Sequence, residues 1–211
     1  MDCRSRSNIP LALVLILVTG GAASAQLARA EIESAIAAGV AGKRLDSTCV
    51  ATSGFLDFTA ENGGFGVIVE GPGGRFMRLA GEAKKKYQPF TIEDVGDDLL
   101  TPTLFVVASP NAPHFTSGSW HRTMPADHLV LKRKGAKGDN PADVLQPTKL
   151  ETFPESWSNA MGGKWDGQGV TAMFDMAAFK AMPGDEIDIV VITSAGERRC
   201  KIGRKDRAAL R

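Results

Sequence analysis

A chain of 211 residues with 25 basic and 24 acidic side chains carries a formal charge of only +1. That balance lacks the electrostatic pull that makes a general binder of nucleic acid or of an acidic membrane surface. The length and a 43 % share of hydrophobic residues suit one domain with a real core.

The chain opens with Arg4 and Arg6, an apolar stretch from Ile9 to Val18, and the small-residue run Ala22-Ala23-Ser24-Ala25 before Gln26. Basic, apolar and small residues in that order read as a secretory signal over residues 1–25, cut after Ala25. The apolar stretch is far short of the roughly 20 residues needed to span a bilayer, and no later stretch approaches that length. A periplasmic or secreted chain without a transmembrane segment is therefore expected. Removing residues 1–25 takes away Arg4, Arg6, Asp2 and Cys3, which leaves 23 basic and 23 acidic residues and no formal charge.

The remainder, residues 26–211, reads as one β-rich domain. Leu27, Ile32, Ile36 and Val40 recur at helical steps, which predicts an amphipathic helix over residues 27–43 whose alanine-rich stripe would pack on a sheet. Cys49 to Thr52 is a short strand candidate. Phe65–Glu70, Gly71-Pro72-Gly73-Gly74 and Arg75–Leu79 predict a β-hairpin with a glycine-rich turn. A phosphate cradle at those glycines would need a helix behind them, and a strand is expected there instead. Thr91 to Leu100 carries four acids that suit a solvated face or a helix start. Thr103–Ala108 reads as a strand buried on both faces. His128–Leu131 is another strand with a charged turn after it, and Val144–Phe153 a weaker one interrupted by Pro147. Val170–Phe174 leads into a short helix stopped at Pro183-Gly184. Ile187–Thr193 places Ile187, Ile189 and Val191 on one face, and Cys200 falls in a last short strand. Residues 198–211 form a basic tail, expected to be solvated and partly frayed.

Short strands, turn residues and few helices predict a mainly β fold. The expected class is an antiparallel β-sandwich of the immunoglobulin-like kind with a short N-terminal helix, and α+β is the alternative. Outside the cytoplasm Cys49 and Cys200 are expected to form a disulfide. That bridge would close a loop of about 150 residues and contribute on the order of 5 kcal/mol.

Chemistry-bearing residues concentrate in two stretches. All three histidines, His114, His121 and His128, lie within fifteen residues. Imidazoles suit zinc or copper, and Met124 could add a thioether. Yet ligands on one helix face lie three or four apart and on one strand face two apart, so a spacing of seven needs a folded loop. Residues 109–126 predict a long loop with Trp120, His121 and Arg122 at a tip able to stack on a sugar or a peptide side chain. Residues 157–169 predict a second loop carrying Trp157, Trp165 and Asp166. Two loops at one end of a sandwich would make a binding surface, whereas tryptophans plugging the core would not. No nucleophile elbow is present, and Glu93–Asp94 and Asp97–Asp98 are adjacent acids rather than a pair set across a substrate. The expectation is a non-catalytic binding or structural protein of the cell envelope that engages an envelope protein or glycan through Trp120, His121, Arg122, Trp165 and Asp166. A periplasmic zinc or copper protein using the three histidines is the alternative, and a hydrolase with no assignable residues comes third.

Overall fold

A computed structural model describes residues 27–44, 46–51, 64–111, 114–116, 119–121, 124–136, 140–158 and 163–210. Residues 1–25, and with them the expected signal, lie outside the described residues. The fold is mainly β, built from two antiparallel sheets packed face to face.

The first sheet has five strands: β1 (Asp46–Ala51), β2 (Phe65–Glu70), β3 (Thr103–Pro110), β8 (Lys149–Ser158) and β9 (Lys164–Asp175), in the order β1-β2-β3-β9-β8. The second runs β11-β10-β6-β7, from β6 (Ala126–Arg133), β7 (Val144–Leu145), β10 (Ile187–Thr193) and β11 (Gly196–Ile202). A separate ribbon pairs β4 (His114–Thr116) with β5 (Ser119–His121). Alternate residues of the two sheets meet in one core. Phe65, Val67, Leu104, Val106, Val170, Ala172 and Phe174 come from the first, and Leu129, Leu131, Ile187, Ile189, Val191 and Ile202 from the second. The alternation predicted for β10 thus faces inward.

A disulfide joins Cys49 on β1 to Cys200 on β11, with Cα atoms 5.9 Å apart, inside the range such a bridge spans. It links the outer strand of one sheet to the outer strand of the other. Pro147, expected to interrupt one strand, lies between β7 and β8, where the chain leaves the second sheet for the first.

The predicted hairpin over residues 65–79 is overturned. β2 forms, but helix α2 (Pro72–Lys85) follows it. Pro72 stands in the first turn, where its missing N–H costs nothing. From there Phe76 and Ala80 fall four apart on one buried face, a period of 3.6 hidden inside a short run that also alternates. The first of the glycines serves close approach rather than positive φ, while a β-carbon on Gly73 would meet nothing within 4 Å. Gly71 has φ −72°, and a β-carbon there would meet the Leu210 carbonyl oxygen at 2.7 Å. The strand expected to exclude a phosphate cradle is therefore absent, and the chain's own Leu210 closes against that helix start.

Helix α1 (Arg29–Val40) forms within the predicted span, but it packs on α2 and not on a sheet. Its buried stripe is Ile32, Ala35, Ile36 and Gly39, while Val40 is exposed. A β-carbon on Gly39 would lie 2.2 Å from the Met77 carbonyl oxygen, so the backbones cross at this glycine. The acidic stretch becomes a 3₁₀ turn (Ile92–Asp94) and helix α3 (Asp97–Leu100), whose Leu99 and Leu100 join this second apolar cluster. The pair α1–α2 sits on the outer face of β2 and β3. Arg78 Nε donates to both oxygens of Glu70, at 2.7 and 3.0 Å, and the Arg75 guanidinium lies 4.7 Å from the Phe105 ring centre. Phe105 and Val107 are only half-buried beneath it, so β3 is buried fully on one face rather than on two.

The basic C-terminal segment is folded, not frayed. β11 takes its first part, and helix α5 (Arg204–Leu210) docks by Leu210 and by Arg207, which is only 2 % exposed. The Arg207 guanidinium donates to the carbonyls of Phe179, Met182 and Gly184 and lies 5.5 Å from the Phe179 ring centre. It caps helix α4 (Met176–Ala181) at the end where free carbonyls and the negative dipole end gather.

Two consequences are measurable. Replacing Cys49 and Cys200 together by serine lowers the unfolding free energy by several kcal/mol, up to about 5; equal urea midpoints for the two proteins would refute a stabilising bridge. Arg207→Met strands three carbonyls and costs about 2–4 kcal/mol by the same unfolding assay, whereas Lys205→Met, on the exposed side of α5, changes it by less than about 0.5 kcal/mol.

Candidate functional site

Helices and loops divide between the two ends of the sandwich. β2 runs into α2, β9 into α4 and β11 into α5, and Leu210 of α5 returns to Gly71. These junctions share one end, because Glu70 pairs with Phe105 and Thr103 with Asp175. The other end carries Ala51, Phe65 and Pro110, which are successive partners across β1, β2 and β3.

The β4–β5 ribbon belongs to that second end. β3 leaves the sheet at Pro110, whose Cγ lies 3.1 Å from where a β-carbon on Gly167 would stand. Asn111 N donates to the Gly64 carbonyl at 2.9 Å. The chain returns at Ala126, whose carbonyl accepts from Gln168 Nε2 at 2.8 Å. Both feet of the ribbon are thus tied to the first half of β9. Within the ribbon His114 pairs with His121, Phe115 with Trp120 and Thr116 with Ser119. The stretch expected as one long loop is in part a hairpin, and Arg122 lies outside the described residues.

The second expected loop is also a hairpin. β8 and β9 stay paired out to Ser158 and Lys164, with Trp157 opposite Trp165, Glu155 opposite Gly167 and Phe153 opposite Gly169. Those six residues share the outer face of the first sheet. A β-carbon on Gly167 would meet the Trp157 ring at 2.5 Å, and one on Gly169 would meet the Phe153 ring at 2.3 Å. Each glycine therefore gives up its side-chain volume to an aromatic ring lying across the strand. Trp157 and Trp165 are half-buried in this row and lie outside the core, so they do not plug it. Asp166 falls on the opposite face of β9 from Trp165, where it accepts from Ser156 Oγ at 2.8 Å. Trp165 and Asp166, expected together, cannot share one contact. Phe153 was missed, and Trp157, Gly167 and Gly169 were read as loop residues rather than as members of this row. Their signal was the period of two in Phe153-x-Glu155-x-Trp157 and in Trp165-x-Gly167-x-Gly169.

The histidines divide between elements. His114 and His121 are brought into register on the ribbon, while His128 stands on β6 opposite Ile192 with Nε2 3.2 Å from Gln146 Oε1. His128 lines an open groove of about 560 Å³ on the outer face of the second sheet, with Val144 and the ion pair of Lys132 and Glu197 (3.0 Å). Among the described residues no three His, Cys, Asp or Glu side chains gather as metal ligands.

The perturbed carboxyls belong to surface ion pairs. Burial pushes the Glu197 carboxyl up, but hydrogen bonds from Arg199 and Lys132 outweigh it and hold the group below the usual range. Hydrogen bonds from Lys134 and Lys201 lower Glu186, and one from Arg133 lowers Asp143. Burial raises Asp188 against the pull of Arg199. Each of these shifts is caused by a neighbouring ion pair or by burial, and none marks an acid and a base facing across a cleft.

The chain matches no known protein family, no curated protein and no solved structure.

The glycine–ring contacts predict a graded response. Gly169→Ala also meets the Ala108 carbonyl oxygen at 2.8 Å, so it cannot relax by moving a ring alone and costs about 1–3 kcal/mol. Gly167→Ala displaces Trp157 and shifts tryptophan emission to the red with a smaller loss of stability. Unchanged emission would show that the ring does not lie over Gly167.

Proposed function

We propose that the mature chain is exported and acts as a non-catalytic binding component of the cell envelope. It presents the loop-bearing end of its sandwich to an envelope protein or glycan. The observation that carries this reading is the common footing of the two aromatic hairpins: the ribbon's feet at Pro110 and Ala126 stand beside Gly167 and Gln168. Trp120 on the ribbon and the row Phe153, Trp157 and Trp165 on the long hairpin give that end its aromatic residues. Rigid aromatic surface with polar neighbours is the usual currency of sugar and peptide recognition. Trp120, His121 and Arg122 are the first contacts we assign, with Trp165 next and Asp166 on the other face of its strand.

The order of basic, apolar and small residues over 1–25 supports export, and so does a disulfide, which persists in oxidising compartments. A binding rather than catalytic role rests on the open, shallow character of the described grooves.

Expression of the full chain in a bacterial host tests both parts. Export predicts a product beginning at Gln26 that carries no reactive thiol before reduction. Binding predicts that this product sediments with isolated cell envelopes, and that Trp120→Ala and Trp165→Ala release it while leaving the unfolding free energy within about 1 kcal/mol of the parent. An uncleaved cytoplasmic product would refute export. Envelope binding untouched by either substitution would refute this end as the contact.

A further inference from the structure

We propose that the C-terminal ends of α1 and α2 form a docking surface for an anionic lipid bilayer. Among the described residues two large apolar side chains are exposed, Val40 (41 %) and Tyr87 (98 %). Val40 ends α1, and Tyr87 stands two residues beyond the end of α2. The two ends adjoin, because Lys84 Nζ donates to the Val40 carbonyl at 2.8 Å. Lys43, Arg44, Lys84 and Lys85 line one open groove there, of about 290 Å³, and Lys86 follows them. All five basic side chains are exposed. The acids beside them already pair, Asp46 with Arg44 and Glu82 with Arg78, so the lysines supply a positive surplus.

The lysines alone have an ordinary reason, since cations suit the negative end of a helix. Tyr87 has none. It closes α2 as the left-handed residue of a C-terminal cap, with φ 57°. Its N–H donates to the Lys84 carbonyl at 3.0 Å, and the Gln88 N–H donates to the Ala83 carbonyl at 2.9 Å. Glycine fills such a position without steric cost, whereas a bulky side chain there is disfavoured. The fold thus holds an aromatic ring in solvent where glycine would be more stable. A bilayer accounts for both features, because tyrosine settles at the headgroup level while lysines meet the lipid phosphates. That attraction acts over a Debye length of about 8 Å, so a local surplus serves even in a chain of formal charge +1. Pure lipid holds neither protein nor glycan, so this surface and the envelope-binding reading can fail separately.

Co-sedimentation tests it with vesicles of equal parts phosphatidylglycerol and phosphatidylcholine, set against phosphatidylcholine alone. The protein should pellet with the anionic vesicles and far less with the neutral ones. Lys43→Gln, Lys85→Gln and Lys86→Gln together should weaken binding about a hundredfold, at about fivefold per lysine. Lys84 stays in place because it holds the Val40 carbonyl. Removing the same charge at Lys149, Lys180 and Lys205, exposed elsewhere, should change binding by less than about twofold. Tyr87→Gly should weaken binding on the order of tenfold while raising the urea midpoint, so that lost binding is not lost folding. Failure to pellet with the anionic vesicles, or equal pelleting with both kinds, overturns the surface. So does equal loss in the distant lysine variant, or a Tyr87→Gly protein that binds like the parent, as a site for soluble polyanions would.

Discussion

The bond between Cys49 and Cys200 closes an edge that hydrogen bonds leave open. Among the described residues the two sheets share no strand, so nothing in those ladders joins one to the other. Apolar burial holds them face to face along the centre, where β2, β3 and β9 meet β6 and β10 with large side chains. At the β1 edge the core receives Cys49 and Ala51, which bring little apolar area. A covalent link there does what burial cannot do with such small groups. It also ties together residues 151 positions apart, so the bond shapes the unfolded chain as much as the folded one.

Around that sandwich the helices attach mostly through arginine. Glu70 is only 1 % exposed and is matched by Arg78, while Arg75 lies against Phe105 and Arg207 caps α4. Guanidinium groups suit such seams, because one planar group can meet several acceptors while its stem and face cover apolar surface. The helical layer is therefore held by directional contacts at a few points, and its small apolar cluster stays separate from the main core. All this weight falls on one end. The opposite end carries hairpins among the described residues, and on the longer one Phe153, Trp157 and Trp165 share the outer face of the first sheet.

Strand positions were legible wherever a run was long and apolar or strictly alternating, as in β3 and β10. Legibility failed in short segments that satisfy two periods at once. Arg75-Phe76-Met77-Arg78-Leu79 alternates like a strand, and only its continuation through Ala80 and Ala83 to Lys85 favours a helix. The glycines before it suggested a turn, since composition cannot distinguish a glycine needed for positive φ from one needed for close approach. The second tryptophan stretch was misjudged for a related reason. Its glycines look like loop residues until Trp157 and Phe153 are placed across from them.

The linear order of residues already determined the class of fold and the pairing of Cys49 with Cys200, and it set apart the two stretches that hold the tryptophans. Those properties depend on local period, on residue count and on side-chain type, all of which survive in one dimension. Tertiary structure alone decided that both stretches contain hairpins rooted at the same end, that His114 is paired in register with His121 while His128 stands on another strand, and that a charged tail becomes a docked helix. Each of these depends on register between strands distant in sequence or on which surface remains to be covered. Neither quantity exists until the chain has folded.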